Sequence, residues 1–308
     1  MNASSFTFAA TICSMRSIAM WSAMPRLAAG CMSACVWAAS ALAQGEGGAL
    51  LRVASADLCA DAWIIELADR NSVIALSWQV DAPVSAAPDW ARALPRASSD
   101  AERLIALSPD LAVFGPGGPG RAAPVLDAAG IDMLTLEWGE DFDTIRASAR
   151  ATGAALGRQA EAEAWLADLD TRLAALTRRA EARGWQPSVF YLSVTGGTAG
   201  GGTLIDAAIR AAGGRNAASE AGASGWTQSD AEWALRVSPD LVVTSYFTDG
   251  YRTAGNAGQR HAAFRRLVER HPSVEVPGAL WSCTGPGLIE AAEHIADALD
   301  ALTPEGEG

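Results

Sequence analysis

Histidine and cysteine are scarce in this chain of 308 residues, which has three of the first and five of the second. His261, His271 and His294 fall on or near expected surface helices. No cluster has the ligand set of a zinc or manganese site, so direct metal binding is not expected. His294 and Glu290 share helical spacing, the pattern of a solvated pair. No Gly-x-Ser-x-Gly elbow and no His-Glu-x-x-His occurs. The stretch Thr195–Thr203 carries five glycines but lacks the Lys-Ser/Thr ending of a phosphate loop. These absences remove the residue sets of the common hydrolases, zinc peptidases and P-loop nucleotidases, and no catalytic residue is assigned. Basic charge is short as well. Lys and Arg number 23 against 35 Asp and Glu, for a net charge of −12, which argues against nucleic acid or an anionic membrane as partner.

Acids are missing altogether from residues 1–43, where only Arg16 and Arg26 are charged. The remainder therefore carries −14, the chain's −12 less the +2 of those arginines. After Arg26 comes the small and apolar run Leu27 to Leu42, closed by Ala41-Leu42-Ala43, a cleavage pattern. The run is short of the ~20 residues of a membrane span and has no charge on its far side. Residues 1–43 are expected to be a signal peptide, started at Met1, Met15 or Met24, and the mature chain to be periplasmic. A lipid anchor on Cys31 is the alternative. The only cysteines beyond the signal are Cys59 and Cys283. An exported compartment permits a disulfide, but two separate buried thiols are expected, because a bond between the two would tether a molecule that has to release its ligand.

What the chain does have is a helical run, Gln159 to Arg183, without proline or glycine. Ala, Leu, Glu and Arg dominate it, and Trp165, Leu166, Leu169, Leu173 and Leu176 form one apolar stripe. Gly157 precedes it; Gly184 and Pro187 end it. At ~1.5 Å per residue it is roughly 37 Å long. Two similar segments flank it. Asp100 to Val113 and Asp230 to Val243 both open with Asp-Ala-Glu, carry Ser-Pro-Asp-Leu at the same offset and close on Val. Such a repeat predicts two similar lobes around one long helix.

Each lobe alternates strands and helices, which implies parallel, helix-covered sheets. Expected strands are Leu51–Ser55, Val73–Leu76, Leu111–Phe114 and Met133–Leu136, then Ser188–Ser193, Leu241–Thr244 and Gly278–Trp281. Residues 79–99 read as a surface loop around Trp90, and Thr195–Thr203 as a glycine-rich cleft wall. The fold class is thus α/β: two lobes with parallel sheets, residues 44–157 and 185–308, joined by a backbone helix over 158–184. Ligands bind at the carboxyl ends of parallel strands, so the cleft between the lobes is the expected site.

With Arg-Val-Ala-Ser and Leu-Cys-Ala-Asp near the start, the duplicated Glu-x(6)-Pro-Asp-Leu, the long helix and the closing Leu-Trp-Ser-Cys-Thr-Gly-Pro, the chain resembles the periplasmic substrate-binding proteins of ABC importers for iron-siderophore complexes and cobalamin. The resemblance covers roughly residues 50–302. It implies two lobes on a rigid helix, modest closure on the ligand, and delivery of a metal chelate to a permease dimer with its ATPase subunits. A surface glutamate on each lobe docks on permease arginines in that family, and the matching positions are Glu102 and Glu232. Both lie in a first helical turn, where a carboxylate is favoured and offers a bidentate acceptor to arginine; the alternative is that each only caps its own helix. The protein is expected to be monomeric, with no resident cofactor, its cargo being a ferric chelate or a corrinoid.

Aromatic residues in expected cleft loops suit a large, partly apolar ligand: Trp78, Trp90, Trp138, Trp226, Tyr246 and Trp281. Tyr251 lies in the same region, whereas Trp63 and Trp165, on helices, are expected to pack. Arg121 and Arg252 occupy equivalent loops of the two lobes and would suit an anionic ferric chelate, with solvated loop arginine as the alternative. Haem would need an axial ligand, for which Tyr246 is the candidate. A sensor or a metal-chelate enzyme of the same fold remains the competing class.

Overall fold

The computed structural model describes residues 50–229, 233, 236–245 and 262–303. Among them, the first lobe contains strands β1 (Val53–Ser55), β2 (Val73–Ser77), β3 (Arg96–Ala97), β4 (Leu111–Phe114) and β5 (Asp132–Thr135). All pair in parallel, in the order β3-β2-β1-β4-β5. Its helices are α1 (Leu58–Leu67), α2 (Asp89–Arg92), α3 (Ala101–Leu107), α4 (Ala123–Ala128) and α5 (Phe142–Ala155). The long helix α6 spans Gln159–Arg183. Beyond it lie strands β6 (Ser188–Ser193), β7 (Gly197–Ala199), β8 (Arg215–Asn216), β9 (Trp226–Gln228), β10 (Leu241–Ser245) and β11 (Ser273–Glu275), with helices α7 (Leu204–Ala211), α8 (Ala217–Glu220), α9 (Ala262–Arg270) and α10 (Leu288–Asp300). The second parallel sheet runs β11-β10-β6-β8, and β7 pairs antiparallel with β9. The two lobes with parallel sheets and a connecting helix are therefore as the sequence predicts.

Strand alternation decides which face goes where. In β6, Val189 and Tyr191 enter one core while Phe190 and Leu192 enter another. In β4, Leu111 and Val113 face inward, and Ala112 and Phe114 pack outward under α3 and α4. The inward core is continuous through both lobes. It includes Trp63 of α1, Leu166, Leu169 and Leu176 of α6, and Ile295 of α10. Trp63 meets Trp165 edge to face at 5.3 Å, so both helical tryptophans pack as expected.

The repeated Asp of Ser-Pro-Asp-Leu has the same role twice. Asp110 Oδ2 accepts the Arg52 N–H at 2.8 Å, and Asp240 Oδ2 accepts the Ser188 N–H at 2.6 Å. In return, the Asp110 N–H donates to Arg52 O and the Asp240 N–H to Ser188 O. Each aspartate thereby sets β1 against β4, or β6 against β10.

Helix α6 is clamped on both sides. Arg146 and Arg150 of α5 reach Asp170 and Glu163. Arg172 grips Glu293 of α10 through two bonds, and Arg179 and Arg183 share Asp300. Gly184 ends α6 at φ 75°, a left-handed conformation that glycine adopts without strain.

Three local expectations are corrected. Residues 79–99 are not one surface loop: a 3-10 turn over Trp78–Asp81, then α2 and β3, occupy them. Thr195–Thr203 contains β7, so part of the wall is a β ribbon. Gly278–Leu280 is a 3-10 turn, because Pro277 removes a ladder donor just before it; the strand comes earlier, as β11. No helix among the described residues is long and apolar enough to cross a membrane.

Candidate functional site

The carboxyl ends of the strands of both lobes open on one cavity of about 960 Å³. From the first lobe come Cys59 at the start of α1, Pro116 after β4 and residues 136–140 after β5. The second lobe supplies Tyr191, Ser193 and Thr195 from β6 and its end, the β7–β9 ribbon, and residues 281–284. Asp57 fixes the near rim. Its Oδ1 accepts the N–H groups of Cys59 and Ala60, capping α1, and its Oδ2 accepts the Gly115 N–H at 2.6 Å. A Cβ on Gly115 would stand 2.5 Å from Asp57 Oδ1, so this close approach requires glycine.

Tyr191 is the centre of the aromatic wall. Trp226 and Trp281 meet it edge to face, with centroids 6.3 and 5.7 Å away. Trp281 is buried, and its indole N–H donates to Ser245 Oγ at 2.9 Å. Trp226 is 52 % exposed, and Trp138, at the rim, is 80 % exposed.

A strap from β5 to α5, residues 136–141, crosses toward the second lobe. Glu140 accepts the Leu204 N–H at 3.1 Å, at the start of α7, and the Trp226 indole N–H at 3.0 Å from both oxygens. Gly139 O accepts the Thr284 hydroxyl at 2.7 Å. Asp141 then caps α5, and the Thr144 backbone N–H and hydroxyl hold its carboxyl below the usual 3.8.

Cys59 and Cys283 form a disulfide with a Cα–Cα distance of 5.5 Å. The expectation of two separate thiols is thus overturned. Residues 282–284 are sewn to the first lobe on either side, by Ser282 Oγ to Val84 O and by Thr284 to Gly139, which brings the two sulfurs together. Behind the disulfide lies a second cavity of about 240 Å³, backed by Trp165 and Arg172 of α6. The bond therefore sits on the backbone-helix side of the cleft, where a tether restricts lobe motion least.

Of the residues singled out from sequence, Trp138, Trp226 and Trp281 line the cavity. Trp78 follows β2 on its 3-10 turn, 65 % exposed and outside the cavity wall. Trp90 does not reach it either: α2 packs that ring against the inner core, with the Arg70 guanidinium 5.0 Å above it. Arg121 is exposed on a 3-10 turn, away from the wall. Glu102 is exposed in the first turn of α3, where Asp100 and not Glu102 caps the helix through the Arg103 N–H. Glu232, Tyr246 and Arg252 lie outside the described residues. Sequence reasoning missed Tyr191 and Glu140 as site residues. Tyr191 could have been found as an inward-facing aromatic two residues before the end of β6, whereas the partners of Glu140 come from elements more than sixty residues away.

A family model described as periplasmic binding protein matches residues 53–260. The chain belongs to that family. This periplasmic binding protein is 28 % identical over 187 residues to a cobalamin-binding protein of Halobacterium salinarum, covering 60 % of this chain and 51 % of that one. It is 26 % identical over 207 residues to the uncharacterized ABC transporter substrate-binding lipoprotein YvrC of Bacillus subtilis, covering 64 % of each. It thus spans between half and two thirds of the length of these curated relatives. Among solved structures, the periplasmic heme-binding protein BhuT in complex with two hemes superposes with a TM-score of 0.61 at 25 % identity, over 80 % of this chain and 98 % of that one.

Proposed function

We propose that this periplasmic binding protein captures a metal chelate or a corrinoid between its lobes and delivers it to an ABC permease with its ATPase subunits, performing no chemistry of its own. The observation that carries this reading is the cavity of about 960 Å³, walled by strand ends of both lobes and by Tyr191, Trp226 and Trp281. That volume lies at the large end of small-molecule sites, and aromatic faces suit a flat or partly apolar cargo. The cobalamin bound by one relative and the hemes bound by BhuT are cargoes of this kind.

Docking would use Glu102, a carboxylate free of capping duty, together with Glu232. Residues 1–43 would direct export to the periplasm, and a disulfide suits that oxidising compartment. The lobes would divide at 157/158 and 184/185, and the protein would act as a monomer without a resident cofactor.

Tryptophan-fluorescence titration of the purified protein with cyanocobalamin, haem and ferric siderophores tests the reading. Trp138 and Trp226 are exposed at the cavity, so saturable quenching at micromolar affinity or tighter is expected for one cargo. Folded protein that responds to none of them refutes it.

A further inference from the structure

The described cleft wall is one-signed. Glu137 and Glu140 both line it, and no arginine, lysine or histidine does so among the described residues. Neither glutamate is in an ion pair with a described residue, and the other polar groups of the wall, among them Ser193, Thr195, Gln228 and Thr284, are neutral. Glu140 is half-buried, and its position is fixed by the Leu204 N–H and the Trp226 indole. A carboxylate has about four acceptor sites, and Leu204 and Trp226 bring two donors to Glu140. Acceptor capacity remains beside the aromatic wall. A negative ligand placed there is repelled by two carboxylates in a partly desolvated site, while a donor N–H gains a charge-assisted hydrogen bond.

We propose that Glu140, seconded by Glu137, determines the ligand class of the cleft: a neutral or cationic chelate fringed with N–H donors, such as an amide-bearing corrinoid, in preference to chelates fringed with carboxylates or catecholates. The inference rests on the capture reading above and narrows it. It also accounts for Arg121, which faces solvent and supplies no charge to the wall.

The test is isothermal titration of the wild type, Glu137→Gln and Glu140→Gln with three probes: cyanocobalamin, neutral overall and amide-fringed; haem, carboxylate-fringed; and a trianionic ferric tris-catecholate. Glu137 is exposed and makes no hydrogen bond with a described residue, so its variant carries no structural cost. The wild type is expected to prefer cyanocobalamin. Glu140→Gln is expected to weaken cyanocobalamin about tenfold, and each variant to strengthen the anionic probes by roughly tenfold, a gain that shrinks as salt is added. A wild type that binds haem or the tris-catecholate as tightly as cyanocobalamin overturns the class assignment and leaves capture standing. Variants that shift all three probes by one common factor also overturn it, because they would show a merely structural role. Binding of none of the probes overturns both readings.

Discussion

Asp61 shows how one buried group can leave a signature on the whole protein. Burial pushes its carboxyl up from 3.8, against the Ser77 N–H and hydroxyl that bind it at 2.8 and 2.6 Å. The folded state thus holds this proton more tightly than the unfolded chain. Its contribution to stability is fully present below the unfolded value and is lost as pH rises through the folded one. Asp81 and Asp300 are held below 3.8: hydrogen bonds to Arg96 lower the first, and in the second Arg183 and Arg179 outweigh burial. They act in the window below 3.8. Glu66, raised by burial, overlaps with Asp61, so the difference between wild type and Asp61→Asn isolates Asp61. Denaturant titrations should show the wild type losing stability relative to the variant as pH climbs above the unfolded value of 3.8. A pH-independent difference would mean that Asp61 titrates alike in both states. Nothing in the sequence marks Asp61 apart from Asp57, four residues earlier. The repeated aspartates, Asp110 and Asp240, are legible because their offset in the duplicated motif is the same and so is their bonding.

Helix α6 is the most legible element, for a physical reason. Its apolar stripe, its helix formers and its closing glycine all agree, so local preference and tertiary packing point the same way. The β7–β9 ribbon was hidden because Gly197 and Thr198 carry little strand signal, and their partners Gln228 and Thr227 are about thirty residues away. Trp90 misled for the opposite reason: proline and alanine around it suggested a loop, yet a single turn of helix is enough to pack its half-buried ring against the core. The grip of α6 on α10 was equally hidden, since it joins residues about 120 apart. That grip is graded by burial. Arg183 is 5 % exposed and donates twice to Asp300, at 3.0 and 2.6 Å, whereas Arg179 is 33 % exposed. Arg183→Ala should therefore cost roughly 1–3 kcal/mol and Arg179→Ala about 0–1 kcal/mol. Equal losses in chemical denaturation would contradict the ranking.

Taken together, the two lobes are joined by more than their backbone helix. One apolar core runs through both, α6 is salt-bridged to each, and Cys59 is bonded to Cys283 across the cleft. The sequence argued against that bond on the ground that a tethered cleft cannot release its ligand. The argument fails because of where the tether lies, which no sequence pattern reveals: between the large cavity and the smaller one backed by α6. On the far rim the lobes are joined by hydrogen bonds of the Glu140 strap to Leu204, Trp226 and Thr284, which can break and re-form without reducing the disulfide. The disulfide is therefore a stability device rather than a lock. It closes a loop of 224 residues, and loss of a native disulfide costs about 2–5 kcal/mol. Replacing both cysteines with serine should lower unfolding stability by about that amount while ligand affinity stays within roughly threefold, that is, within about 0.7 kcal/mol. An affinity loss much larger than this, with the fold intact at low temperature, would show that the bond holds the cleft in its binding shape and that release requires its reduction.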